Sequence, residues 1–558
     1  MTRFVIGEKW VKVWEAGKLF SREEADMGRR KCGILAAAAI AFGGYLAACG
    51  DSGAPITPPP PAGNFSNASL SGQYAFSMSG VGLSSGAFVA RVGSFAADGQ
   101  GHITAGVEDV LDLGSGSPAA VMTISSGTYQ VQANGRGLIT LNVTGGETLQ
   151  LSASLQSNNR GYLVQTDGLA STSGRLELQM PQQFSAGAIN GKYVFSISGL
   201  SFAGATPAPI SLVGQFGADG NGNVTGGTAD VNDGSSVPTG ATPLPVSTYQ
   251  LDTNVNGTNF GRGTMGLDGR TFAFYIVDST RVELLEEDSL GGSSGPAILQ
   301  TGAIPTQNSG FKGSFAFLTG GSRLTSPFGP DARAGRFTAD GSGGIGTISF
   351  FQNNDGDRTQ LTPTAGISEM SYSIDTNNAG SGRGTFTFRN SSVGAVTYVF
   401  YLYSPAGGVI QDVSAGIVGS GAMMSQSASS FTTASLAGNY SFNWSGQELV
   451  QPSPFDENFV GQFAQSSEAT GNIAGVVDYA QLGLNTIHTN GVTLNAGISG
   501  TLTIAGDGTQ NNTYKIAIGG PSSFTVNFVA YFTDGGTVFL VGSDGIRTMT
   551  GMATPQTQ

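Results

Sequence analysis

Four stretches of this chain open in the same way, and such a repeat limits the fold more than any other feature, because each copy must build the same unit. The openings are Leu70-Ser-Gly-Gln-Tyr-Ala-Phe76, Ile189-Asn-Gly-Lys-Tyr-Val-Phe195, Phe311-Lys-Gly-Ser-Phe-Ala-Phe317 and Leu436-Ala-Gly-Asn-Tyr-Ser-Phe442. Their first aromatics, Tyr74, Tyr193, Phe315 and Tyr440, stand 119, 122 and 125 positions apart. From 21 to 23 residues further on, each copy reaches a Gly-x-Phe, ending at Phe95, Phe216, Phe337 and Phe463. A chain of 558 residues suits three or four domains at roughly 150 residues each. The copies supply four, over 70–184, 185–306, 307–430 and 431–558.

Within a copy the apolar residues alternate with a period of two, the signature of strands with one face buried. The second copy shows about eight such runs, at 192–198, 210–216, 223–231, 246–252, 263–267, 271–277, 281–285 and 297–300. Glycine, at 87 residues, is more than twice its usual share of about 7%, which favours turns over helices. Eight antiparallel strands in a meander can close on themselves and abolish edges, an advantage in a chain with only 11% charged residues to guard them. The expected fold is therefore all-β: four tandem antiparallel modules of about eight strands, each an up-and-down barrel in preference to a β-sandwich. The Gly-x-Tyr or Gly-x-Phe that opens each copy resembles the Gly-x-Trp that begins lipocalin-like barrels.

Three further motifs recur. Ala-Asp-Gly-x-Gly follows the second run in copies one to three, with Asp98, Asp219 and Asp340, and is absent from copy four, which has 465–471 instead. Asp-Gly between strands marks a hairpin; a Ca²⁺ loop would need several oxygen ligands, and only one aspartate recurs. Gly-Arg-Gly places Arg136, Arg262 and Arg383 at the start of a later run. Each arginine is either a strand start lying over a neighbour or an anchor for an anionic or sugar ligand. Arg281 and Glu283 share one face of a closing strand, opposite Val282 and Leu284, and read as a solvated face.

Little in the chain suggests catalysis. His102 and His488 are isolated, too few for a metal cluster, and read as exposed loop residues. Glu283, Glu286, Glu287 and Asp288 offer the two carboxylates of a glycosidase, but as one cluster in one copy they read as a solvated turn. No nucleophile elbow, phosphate loop or dinucleotide fingerprint stands in a convincing context. No catalytic, cofactor or metal site is assigned, and no cofactor is expected.

The N-terminal segment gives an address. Arg29, Arg30 and Lys31 precede an alanine-rich apolar run over 32–48, too short for a span of about 20 strongly apolar residues. The run ends in Leu46-Ala47-Ala48-Cys49, which resembles the lipobox of bacterial lipoproteins; the alternative is an ordinary secretory signal with an incidental cysteine. The resemblance implies lipidation of Cys49, cleavage after Ala48, and membrane attachment through the acyl chains. Because Gly50 rather than aspartate follows the cysteine, it also implies delivery to the outer membrane, on either face. Residues 1–48 are thus leader and signal, with Met27 the expected start, and 49–69 a Pro/Gly/Ser-rich tether. The repeat itself resembles modules of uncharacterised exported bacterial lipoproteins, a family that brings no known activity.

The formal net charge is −13, and about −16 after removal of the signal, which repels phosphate backbones and excludes nucleic acid as a partner. The only cysteines are Cys32 and Cys49, so the mature protein has no disulfide to hold it. The expected role is non-enzymatic: a lipid-anchored cell-envelope protein whose modules form a stalk or binding surface. Possible partners are an envelope protein, a small apolar ligand enclosed in each barrel, or a glycan recognised through exposed aromatics such as Tyr162, Tyr403 and Trp444. The oligomeric state is not legible.

Overall fold

The computed structural model describes residues 64–557 except 84, 116–118, 203–205, 235–239, 253–256, 327, 363–365, 427–430, 450–454, 468–470, 483–490, 506–508 and 520–521. Cys49, the signal, most of the tether and His488 lie outside the described residues. From Ile56 onward the chain is one compact unit of antiparallel strands.

In the first module the eight strands are Ser71–Gly82, Phe88–Asp98, His102–Asp112, Ala120–Val131, Arg136–Val143, Thr148–Ser157, Arg160–Gln165 and Ala170–Leu178. Each pairs with the next, and the first also pairs with the eighth, Tyr74 opposite Leu178, closing a barrel. The fourth module, from Asn439–Glu448 to Arg547–Pro555, closes in the same way. In the second and third modules the fourth strand is broken in two, giving nine-stranded sheets. The break in the second falls between Thr242–Leu244 and Ser247–Leu251. The barrel expectation holds, with most strands of the second module running longer than the alternation alone marks and the run at 246–252 shortened to Ser247–Leu251.

The repeated motifs explain how each barrel fills. Tyr74, Phe76 and Met78 alternate inward on the first strand and are fully buried. Phe76 stands opposite Gly93 on the second strand, and a Cβ at Gly93 would lie 2.6 Å from the ring tip. The same clash, at 2.6 to 2.7 Å, faces Gly214 from Phe195, Gly335 from Phe317 and Gly461 from Phe442. The glycine of Gly-x-Phe is therefore space for the aromatic of the opening motif, and the two motifs are one packing device. Around it each barrel gathers its own aromatic and aliphatic core.

Both ends of the barrels are shut by side chains. At the lower end, where strands two and three meet, Asp98 accepts bonds from the Gln100 and His102 backbone N–H groups at 2.6 and 3.0 Å; Asp219 and Asp340 do the same in their modules. Bonds to the His102 and Ser342 turns hold the Asp98 and Asp340 carboxyls down at about 2. The carboxylate serves the hairpin, with Gly99 and Gly101 at φ +78° and +113°. A short 3-10 turn lies beneath the barrel, held by Tyr129, whose hydroxyl donates to the Asn67 and Leu70 carbonyls; Tyr249 and Tyr372 repeat this. At the upper end each barrel holds an arginine between carboxylates or beside one, buried in all but the second module: Arg91 with Glu108 and Glu147, Arg270 with Glu286, Arg333 with Asp331 and Asp412, and Arg547 with Glu448 and Glu457.

The modules do not string out as a stalk. Outward side chains of strands one to three of one module pack on strands six and seven of the next. Ala90, Val92, Val107 and Leu111 meet Tyr275 and Leu285, and Val194 and Val213 meet Val399, Tyr401 and Val409. Ala332, Ala334 and Phe351 meet Val529, Tyr531 and Val541. The same contact then joins the fourth module to the first, through Val460 and Ala480 against Tyr162 and Val164. Four barrels thus close into a ring by one repeated contact, head to tail.

Candidate functional site

Two features of the ring bear on function: the seams that close it and the space it encloses. At three seams the Gly-Arg-Gly arginine reaches an aspartate on the third strand of the neighbouring module. Arg262 grips Asp109 through Nε and Nη2 at 2.8 and 2.7 Å, and Arg383 grips Asp230 through the same two atoms at 2.7 Å each. Arg136 reaches Asp478 through Nε at 2.6 Å across the closing seam. Tyr275 and Tyr401 donate to the same aspartates at 2.6 and 2.7 Å. Burial first, and then the aspartate charge, raise both phenol pKa values, so these hydroxyls remain donors. Planar guanidinium on carboxylate is the strongest class of hydrogen-bonded pair and fixes orientation as well as distance. Of the two readings open for these arginines, the structure shows the strand start over a neighbour, and the neighbour is another module.

The seam between modules three and four dispenses with charge on both sides together. The positions equivalent to arginine and aspartate hold Thr509 and Phe351, and the contact there is apolar. Swapping a buried ion pair for apolar packing is commonly neutral or stabilising, provided both partners change.

A second seam device ends every module. Gln179 donates its Nε2 protons to the Phe260 and Ile276 carbonyls of module two, at 3.1 and 2.6 Å. Gln300 does so to Ser381 and Leu402 of module three, and Gln426 to Phe532 of module four. Gln556, at the end of module four, reaches Asn134 and Leu155 of module one at 3.1 and 2.7 Å. The last glutamine therefore turns a tandem array into a ring.

The four modules together line an open axial cavity of about 1440 Å³, larger than the roughly 300–1,000 Å³ of a small-molecule pocket. Its wall is the paired first and eighth strands of all four modules, running from the turns at Asn159, Thr280 and Thr537 to the loop at Phe328. One belt of equivalent positions crosses it. On the first strands these are Ser79, Ser198, Gly320 and Ser445; in register opposite them stand Ser173, Ser294, Ser420 and Thr550. Seven of the eight carry a hydroxyl, and none of those hydroxyls bonds to protein among the described residues. The exception has a cause: a Cβ at Gly320 would lie 3.2 Å from the Thr550 hydroxyl of the next module.

Next to the belt, Arg175 of module one sits where four modules converge. It acts electrostatically on Tyr162 of its own module, Glu283 of module two and Tyr403 of module three, and the Tyr162 hydroxyl in turn lies 2.6 Å from Thr554 of module four. Arg281 nearby is spent on Glu177 and Glu283, at 2.5 and 2.8 Å. Arg175 itself makes no ion pair or side-chain hydrogen bond among the described residues.

Several residues singled out from the sequence lie elsewhere than expected. The Arg281 and Glu283 face is not solvated: Glu283 is 4% exposed, because the outer faces of the barrels turn toward one another in the ring. Burial accordingly raises the Glu283 pKa, with Arg281 opposing it. The acidic cluster is no solvated turn. Glu286 plugs its barrel on Arg270 and Ser293, Glu287 joins Arg262 at a seam, and Asp288 caps the Thr271 N–H. The four carboxylates diverge to separate places. Tyr162 and Trp444 are not exposed platforms; they are 4% and 0% exposed. Trp444 fills the fourth barrel against Phe442 and Phe528. Packed interiors with shut ends also remove the enclosed apolar ligand within each barrel. His102 is an exposed hairpin residue, its Nδ1 2.8 Å from Asp98. The terminal glutamines and Arg175 were missed by sequence reasoning; the glutamines carried a signal, falling just after the last strand of every copy.

No protein-family model matches the chain, and no curated protein matches it significantly. Among solved structures it is similar to a transferrin binding protein B vaccine antigen from Haemophilus parasuis Hp5, at 11% identity over 73% of this chain and 83% of that one, with a TM-score of 0.19. It is also similar to the isotype 1 transferrin binding protein B of serogroup B Neisseria meningitidis, at 8% identity over 72% and 84%, with a TM-score of 0.21. At such TM-scores the likeness carries no functional argument.

Proposed function

We propose that this protein is a non-enzymatic cell-envelope lipoprotein, anchored through lipid on Cys49, whose ring of barrels is a preformed binding body with the axial cavity as its site. The observation that carries this reading is the contrast between filled barrels and an open ring: side chains pack each barrel, while hydroxyls unbonded among the described residues, from equivalent positions of all four modules, line the shared lumen. Glu108, Asp109, Glu286, Asp412 and Glu457 are each committed to an arginine in a barrel plug or a seam. The Leu46-Ala47-Ala48-Cys49 motif supports the anchor, and the outer membrane is the destination the motif favours.

Two measurements test the reading. Cys49→Ser should move the protein from the membrane fraction to the soluble envelope fraction; a variant still membrane-bound and cut after Ala48 sinks the lipid anchor. Ser198→Cys places a thiol on the belt of the intact lipidated chain. It should react with a small maleimide under native conditions, and labelling only after denaturation would show that the lumen is closed to solutes.

A further inference from the structure

We infer that the axial cavity binds a linear polyhydroxylated chain, an oligosaccharide, with the hydroxyl belt as its cradle and Arg175 and Tyr403 as its anchor. The inference rests on the cavity being the binding site. The wall chemistry selects among ligand classes. A lipid needs a continuous apolar lining, and here a ring of serines interrupts it. A polyanion such as nucleic acid needs a cationic wall, whereas the four lining arginines, Arg160, Arg175, Arg281 and Arg323, are offset by five carboxylates, Glu177, Asp278, Glu283, Asp331 and Asp456. An extended peptide docks by adding a strand to a free edge, and the first and eighth strands have both edges paired within their barrels.

A sugar chain meets none of these objections. Its hydroxyls donate and accept, as do serine and threonine hydroxyls, so each belt position can serve either polarity. Ser294 is 8% exposed, and its hydroxyl, without a protein partner, faces the cavity. The Arg175 guanidinium offers a fork of N–H donors with no side-chain acceptor among the described residues, beside the belt in a wall that Arg160 and Arg323 also line. The Tyr403 hydroxyl is likewise unbonded among the described residues, and its ring lines the same stretch of wall. The volume exceeds that of a pocket for one small molecule, which fits several sugar units end to end along the axis.

The test is calorimetric titration of the intact lipidated protein, in a polyoxyethylene detergent that carries no sugar, with maltohexaose, cellohexaose, chitohexaose and hexagalacturonate. Saturable one-to-one binding of at least one hexasaccharide is expected. Arg175→Gln should weaken it at least about tenfold, and Ser198→Trp, which fills the lumen, should abolish it while thermal unfolding stays within a few degrees of the parent. If Ser198→Trp fails to fold, Ser79→Phe takes its place. Binding unaffected by both Arg175→Gln and the lumen-filling variant overturns the inference, because the sugar would sit elsewhere. Absence of binding to all four, in protein whose Ser198→Cys form labels natively, overturns the ligand class and leaves the cavity reading standing. Absence of native labelling removes the cavity reading itself.

Discussion

Asp109 is where the account of the seams is most exposed to failure. It is wholly buried and accepts three bonds from module two, from Nε and Nη2 of Arg262 and from the Tyr275 hydroxyl, at 2.8, 2.7 and 2.6 Å. Asp109→Leu leaves a guanidinium 9% exposed, with Asp252 and Glu287 as its remaining partners. Breaking one side of a buried pair costs about 3–5 kcal/mol, and the two surviving carboxylates place this variant at the low end, about 3 kcal/mol. Arg262→Met strands the Asp109 carboxylate on one phenol donor and costs about 3–5 kcal/mol. The double variant strands neither charge but leaves the buried Tyr275 hydroxyl without its acceptor, and should cost about 1–3 kcal/mol. The coupling energy is then about 3 kcal/mol or more in favour of the double variant. Urea unfolding of the intact chain measures the three differences. Amide exchange across 272–285 localises them, since four modules need not unfold in one step. If the two single losses simply add in the double variant, the pairing argument is refuted and the seam is held by its apolar contacts alone.

Two further outcomes follow from the packing and the buried acids. Gly93→Ala should destabilise the first module by about 1–3 kcal/mol, since its Cβ would lie 2.6 Å from the Phe76 ring and 2.7 Å from the Val107 carbonyl oxygen; an unchanged urea midpoint would show that the ring has room to move. Burial, opposed by Arg547, pushes Glu457 up to about 8, and burial likewise raises Glu108 and Asp456 to about 7. The folded state therefore holds protons that the unfolded chain releases above its ordinary carboxyl pKa values near 4. The stability these groups contribute is complete below that range and is lost as pH rises through 7 to 8. The urea midpoint should fall between pH 5 and pH 8.5, with a shallower fall in Glu457→Gln; a midpoint that climbs with pH would contradict this.

What could be read from the residues alone was what depends on local pattern. Period-two alternation and Asp-Gly turns depend on neighbours within a few residues, so the eight strands of a copy and the hairpins at Asp98, Asp219 and Asp340 were legible. The fourfold recurrence of Gly-x-Tyr and Gly-x-Phe made the number of barrels legible too. Three of the misreadings share one cause. Arg281, Glu283 and Tyr162 point outward from their barrels, and period two tells outward from inward but not whether outward means water. Trp444 failed differently: it points inward, and its burial follows from the core of its own barrel. The candidate cavity was invisible because its belt draws one or two residues from each of four copies more than a hundred positions apart.

The sequence by itself determined that the chain carries four like β modules, because alternation, turn glycines and the repeat are properties of the linear chain. Only the tertiary structure decided that the modules close into a ring. That outcome depends on Gln556 and Asp478 of the last copy fitting Asn134, Leu155 and Arg136 of the first, a complementarity spread over more than three hundred residues. Closure is also what converts outward-facing polar residues into buried seams and serines of no local note into the lining of one lumen.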